Sequence, residues 1–328
     1  MRAAIFRPQL KGWRGKHYYP PAGKALPAVS FGVVGATGSL NGQRLAVPWA
    51  FQQIDPKDPD EQRLQRALLA WVSGQIAADD VVVLDAGFKL SDLLEAEVQR
   101  FVLRLAKNFT ARRNVRMPRK PKGRPPSYGE WVRPLARSYK GHTIPATPPD
   151  RVVTWEEDGC QLRAEIWTNL ILPGVEPAAN NRTFQVVAIY DPRFEEPWLL
   201  ASDLPLTPAD LRALYRDRWP IEQIPNSAKQ MVGAHRQFVF CDESIHRLPE
   251  LALLAGSILS FVAATLPLAP TGFWDRNPRR TPGRLRRQLS GRLFPSSIPL
   301  PERIRKKESV TEHLPKGVEA HRRQPRPG

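Results

Sequence analysis

Two cysteines among 328 residues, Cys160 and Cys241, are too few for a disulfide framework. They share no CxxC-like spacing, so a reducing cytosol is the natural compartment. The six histidines, His17, His142, His235, His246, His313 and His321, show no metal-ligand spacing to each other or to the cysteines and read as surface or loop residues. The start, M-R-A-A-I-F-R-P-Q-L-K, lacks the apolar run of a secretory signal. No P-loop, nucleotide-binding glycine fingerprint or nucleophile elbow is present. One apolar run, Leu251 to Leu268, approaches membrane-spanning length. It contains Gly256, Ser257, Ser260 and Thr265 and has no second span beside it, so it reads as a buried helix rather than as a membrane anchor.

Acidic residues are missing from two segments. Residues 104–140 hold twelve Lys and Arg against the single acid Glu130, and residues 276–328 hold fifteen against four. The formal charge of +17 is therefore segregated into patches, and the remainder of the chain is slightly acidic. Such patches favour a polyanionic partner, nucleic acid first and an anionic membrane second.

The apolar content suits one large domain or two ordinary ones. Residues 28–54 read as two strands joined by the turn-rich A-T-G-S-L-N-G. Leu64, Leu68 and Trp71 recur at helical spacing after Asp58 and Asp60. V-V-V-L-D-A-G-F is a continuous apolar run ending in Asp85, the pattern of a strand buried on both faces. Ser91 can cap a short helix, and F-V-L-R-L-A-K reads as the next strand. This order indicates an α/β sheet with a parallel centre. Residues 110–150, rich in Pro and Arg, read as an irregular basic arm. Between Arg151 and Leu200 the chain is β-like, and Thr207 caps a helix with Pro208 at its first position. From Pro267 onward a Pro/Arg-rich tail is expected to be largely disordered.

That helix opens the most informative stretch, Y-R-D-R-W-P-I-E-Q-I-P-N-S-A-K. On one continuous helix, at about 100° per residue, Tyr215, Arg218, Glu222 and Lys229 fall within about 60° of each other. A stripe of one carboxylate, two cations and a phenol suits a metal ion beside a phosphate. Asp85 ends a buried strand, where α/β sheets place ligand-binding groups. Together, Asp85 and Glu222 can hold Mg²⁺, a hard ion with oxygen ligands that activates water or a 3′-hydroxyl in phosphoryl transfer.

Tyr-(2)-Arg-(3)-Glu-(6)-Lys with Trp219 after the arginine, and V-L-D-A-G-F upstream, resemble the motifs of bacterial insertion-sequence transposases of the DDE class. The resemblance spans roughly residues 15–265. It implies an RNase H-like α/β core with a β-rich insertion, and Mg²⁺ (or Mn²⁺) held by Asp85 and Glu222 as second and third catalytic carboxylates. Tyr215, Arg218 and Lys229 would contact transposon-end phosphates. Arg112, Arg113, Arg116, Arg119, Lys120, Lys122 and Arg124 read from composition either as a phosphate-binding arm that needs no sequence readout or as a plain solvated loop. The implied partner is double-stranded DNA, with a homodimer in the synaptic complex, in a bacterial, nucleoid-associated cytoplasmic setting. The implied segments are a first core part at 1–109, arm and insertion at 110–205, core helices at 206–266 and a basic tail at 267–328.

Two departures qualify that resemblance. The family's first Asp belongs to a core strand, and no Asp occurs here before Asp55. The chain therefore reads as an RNase H-like core lacking its first strand, expected to bind DNA without efficient cleavage. Alternatives are a non-catalytic DNA-binding remnant, an RNase H-like nuclease or a peripheral membrane protein. The second departure is Pro225, which with Pro220 is expected to kink the helix and rotate Lys229 out of the stripe. Trp155 and Trp167 read as core residues before base-stacking ones.

Overall fold

The computed structural model describes residues 1–7, 9–10, 15–54, 60–118, 127–236, 240–268, 270 and 275–293. Four strands come first, β1 (Arg2–Phe6), β2 (Lys16–Tyr19), β3 (Lys24–Leu40) and β4 (Gln43–Gln53), then helix α1 (Glu61–Ser73). Strand β5 (Val82–Leu84), helix α2 (Leu90–Glu95) and strand β6 (Phe101–Arg104) follow. A β-rich stretch comprises β7 (Ala111–Arg113), β8 (Trp131–Val132), β9 (Arg137–Tyr139), β10 (His142–Ile144), β11 (Arg151–Glu157), β12 (Cys160–Ile171), β13 (Phe184–Tyr190) and β14 (Trp198–Ser202). Helix α3 (Pro208–Asp217), a 3₁₀ turn (Trp219–Glu222), α4 (Gln223–Gln230), α5 (Asp242–Thr265) and α6 (Pro282–Leu293) complete the mixed α/β order.

The chain divides into two compact units: Met1–Leu68 with Trp219–Gly328, and Leu69–Arg218. This division cuts across the four segments expected from sequence.

In the first unit the long strand β3 pairs antiparallel with β1, β2 and β4. Asn41 and Gly42, both at positive φ, close the β3–β4 hairpin, as two-residue turns matching strand twist require. Ile5, Val29, Phe31 and Val33 form a core with Ile221, Ile224, Ala228, Ile245 and Leu253. Gly32 is required where it stands, because a Cβ there would lie 2.1 Å from Leu68 Cδ1 of α1. Strand β4 runs beside α5: Gln53 donates to the His246 carbonyl at 2.8 Å, and Asn41 donates to the Ala264 carbonyl at 3.0 Å. Helices α4 and α5 approach closely at Gly256, where a Cβ would meet the Ala228 backbone nitrogen at 2.6 Å.

In the second unit one sheet runs β5-β6-β14-β13-β12-β7-β8, with β11 also on β12. Its one parallel pair is β5–β6, and β5 is an edge. The expectation of a parallel centre is thus corrected: β14, β13 and β12 extend the sheet antiparallel from β6. Asp158 and Gly159 at positive φ turn β11 into β12, and a register shift with Asn169 at positive φ bends β12 near its end. Leu93, Val98, Phe101, Leu103, Trp167 and Phe184 fill one side of the sheet, and Leu162, Ile166, Val187, Leu211 and Tyr215 the other. Ser91 lies inside α2 rather than capping it, since Lys89 is the residue before the helix.

Residues 110–150 are not a plain arm, because they contain β7 to β10. The tail expected from Pro267 contains α6, on which Arg284, Arg286 and Arg287 sit; residues 294–328 lie outside the described ones.

Candidate functional site

The helix boundary at Thr207 follows the sequence closely. Its hydroxyl accepts from the Asp210 amide at 3.2 Å, and Pro208 occupies the first position, where no amide hydrogen is needed. The other end differs from expectation. Helix α3 stops at Asp217, the 3₁₀ turn follows, and α4 begins at Gln223. The four motif residues therefore do not share one helix. The break falls at Pro220, which lacks an amide hydrogen, whereas Pro225 is accommodated in the first turn of α4, where its missing donor costs nothing.

Tyr215 and Arg218 belong to the second unit, Glu222 and Lys229 to the first. In the second unit Arg218 meets Asp85: Nη1 stands 3.8 Å from Oδ2. The parallel pairing of β5 with β6 presents Asp85 at the end of its strand. Its Oδ1 accepts the Gly87 amide at 3.1 Å, and its carbonyl accepts the Phe88 amide at 3.2 Å, so a tight turn fixes the carboxylate. Arg218 is mostly buried and lies with its guanidinium carbon 5.5 Å from the Tyr215 ring centroid.

Tyr215 is 2% exposed, which corrects its expected place on an open polar stripe. Its ring packs edge-on to Trp198 at 5.2 Å, and the Arg104 guanidinium lies 5.9 Å from both rings. Desolvated cation–π contacts of this kind hold a guanidinium in place without neutralising it. The tyrosine thus orients arginines from within the core.

A second layer anchors α3 to the sheet and was not read from sequence. Arg212 on α3 donates to Asp191 Oδ2 at 2.6 Å and to Glu157, and Arg216 donates to the same Glu157 oxygen at 2.6 Å. Arg193 completes the cluster with bonds of 2.8 and 2.9 Å to Asp191. The Arg193 hydrogen bonds, with Arg212 beside them, hold the Asp191 carboxyl far below the usual carboxylate range although burial opposes this. The signal was Asp191 following the apolar run of β13, and Arg212 three residues before Tyr215.

In the first unit Glu222 ends the 3₁₀ turn and is the N-cap residue of α4, with no capping bond from its side chain. Lys229 is half-buried, and burial lowers its amine to about 8.

The arm residues differ in their surroundings. Arg112 lies on β7, its guanidinium carbon 3.9 Å from the Trp131 ring centroid and 5.0 Å from that of Tyr128, with Nη1 donating to the Gly129 carbonyl at 2.7 Å. Arg113 is bound by both oxygens of Asp150 and donates to the Thr168 carbonyl, so its charge is already satisfied by the fold. Arg116 is exposed, 3.8 Å from Glu176. Arg119, Lys120, Lys122 and Arg124 lie outside the described residues. Trp167 is fully buried, donating to the Thr147 and Pro148 carbonyls at 3.1 and 3.0 Å, and Trp155 packs partly buried on the core.

The surroundings of Asp85 bear on the expected Mg²⁺ (or Mn²⁺). Around Asp85 one oxygen holds an amide and the other faces a guanidinium, an arrangement that competes with a cation. Among the described residues no group of three or more His, Cys, Asp or Glu gathers. This set does not fit a hard divalent ion that needs several oxygen ligands.

No protein-family model and no curated protein match this chain.

Proposed function

We propose that this chain is a DNA-binding protein derived from insertion-sequence DDE transposases, with strand cleavage and transfer weak or lost. The observation that carries the reading is the meeting of Asp85 with Arg218. These residues come from two separate motifs, far apart in sequence, which together carry the resemblance. Such a meeting is expected of a shared site and not of two unrelated surface segments.

The basic composition supports the nucleic-acid side of the proposal. Arg218 offers a guanidinium fork to a phosphate and is oriented by Tyr215, while Arg116 adds an exposed cation. The loss of chemistry is supported by the carboxylates. Strand β1, which precedes the β3–β4 hairpin and was not read from sequence, carries Arg2, Ala3, Ala4, Ile5 and Phe6 and no acid. With Asp85 held by a cation and an amide, the acidic residues cannot act as one unit.

The test is fluorescence anisotropy with duplex DNA at low and moderate salt, beside incubation of supercoiled plasmid with Mg²⁺ or Mn²⁺. Salt-sensitive binding without nicked or joined products is expected. Divalent-dependent cutting that disappears in Asp85→Ala would overturn the loss of chemistry, and absence of binding at low salt would overturn the reading altogether.

A further inference from the structure

A cavity of about 430 Å³ opens in the first unit, within the size range of small-molecule sites. Strand β4, helices α4 and α5 and the start of α6 form its walls. One wall is closed where α4 meets α5, with the Ser227 and Ser260 hydroxyls 2.9 Å apart. The start of α6 comes close to α4 because Gly283 has no Cβ, which would stand 3.2 Å from Met231 Sδ.

No Asp or Glu lines this cavity, but two arginines do. Arg280 is fixed by two carbonyls, Nε donating to Leu266 at 2.9 Å and Nη1 to Asn41 at 3.2 Å. Carbonyls orient a guanidinium without neutralising it, and among the described residues no carboxylate pairs with Arg280. Asn41 lies three residues before Arg44, which brings a second cation to the same end. Two guanidiniums with no acid beside them favour a phosphate, which a planar fork binds through paired hydrogen bonds.

The remaining lining has two further characters. Gln43, Gln223, Asn226 and Gln230 carry four carboxamides that make no hydrogen bond to the protein among the described residues. Each offers a carbonyl oxygen and two N–H donors. Leu45, Ala46, Ile224 and Met231 add an apolar surface. The hydroxyls of Ser257 and Ser260 are occupied, donating to the Leu253 and Gly256 carbonyls of their own helix. A ligand that matches cations, carboxamides and apolar surface together carries a phosphate, a flat ring and groups that both donate and accept. A nucleotide has all three, whereas inorganic phosphate uses only the first.

We infer that this cavity binds one nucleotide unit, its phosphate on Arg280 and Arg44 and its base and sugar among the carboxamides. The inference does not rest on the DNA-binding reading. Calorimetric titration of the full chain, without DNA, against the four ribonucleoside 5′-monophosphates and inorganic phosphate tests it. At least one nucleotide is expected to bind at least about tenfold more tightly than phosphate. Asn226→Asp with Gln230→Glu places two carboxylates at exposed positions where no bond is lost. This variant is expected to weaken nucleotide binding at least about tenfold with unchanged circular dichroism, and the wild-type measurement decides even if the variant misfolds. A 5′-phosphorylated dinucleotide offers the same unit at a strand end. Tighter binding than the monophosphates makes a strand end the source, weaker binding a free nucleotide, and both keep the site. No nucleotide binding at millimolar concentration overturns the inference. So does phosphate binding as tightly as the nucleotides, or an affinity unchanged in a folded variant.

Discussion

Asp85 Oδ2 and Arg218 Nη1 stand 3.8 Å apart in the second unit, each held by other contacts. The carboxylate is tied to its turn through the Gly87 amide, and the guanidinium lies near the Tyr215 ring. A phosphate approaching Arg218 must compete with Asp85 for the same cation. Arg218→Ala is therefore expected to weaken duplex binding and lower the salt slope by about one. Asp85→Ala should move affinity the other way, by removing the competitor. Anisotropy titrations across a salt series decide this, and equal losses in both variants would sink the arrangement.

The clamp on α3 gives a second expectation. Arg212 and Asp191 are both almost fully buried, so Arg212→Ala removes one guanidinium partner of Asp191 while Arg193 stays, and should cost about 1.5–3 kcal/mol in urea unfolding. The pH dependence follows from the depressed Asp191 carboxyl. Its contribution is complete above the unfolded value near about 4 and is lost as pH falls below it, because the unfolded chain takes up the proton first. Wild-type stability should fall on acidification, and that of Asp191→Asn, which has no carboxyl to titrate there, more shallowly. Parallel slopes would refute the role given to Asp191.

Lys229 acts in the same direction, in an alkaline window. Burial lowers its amine to about 8, so the folded chain releases a proton that the unfolded chain keeps until about 10.4. Between those values the unfolded state binds more protons, and stability rises with pH. Lys229→Met should stabilise the protein at neutral pH and abolish that rise. Urea midpoints measured on either side of the interval check both.

Gly256 tests the packing of α4 on α5. A Cβ would press on the Ala228 backbone, which cannot swing aside as a side chain could. Gly256→Ala should destabilise by about 1–3 kcal/mol despite the higher helix propensity of alanine. An increase in the thermal midpoint would contradict the contact.

Much of the local structure was legible before the fold was known. Asn41-Gly42 and its flanking apolar strands announced a hairpin, and Thr207-Pro208 announced a helix start, because turn and cap chemistry is decided within a few residues. Strand β1 was missed because five residues carry too little pattern, and its partner in β3 lies far along the chain. The end of an apolar run pointed to Asp85 and the motif to Arg218, but the spacing mistook the helix joining Tyr215 to Lys229, since periodicity cannot see that Pro220 redirects the backbone. Nor could it see that Tyr215 faces inward to Trp198. The exposed half of α5 was read as buried, as length and composition do not say how many sides of a helix find partners.

The first unit is built from both ends of the chain, Met1–Leu68 and Trp219–Gly328, whereas the second is one uninterrupted stretch. A ribosome delivers the second unit whole while the first still lacks the helices that close its core. Synthesis therefore imposes an order: the inserted body can mature first, and strands β1 to β4 must wait for α4 and α5. During that interval β3 and its neighbours expose Phe31 and Val33 without cover, a window in which chaperone binding or aggregation is decided.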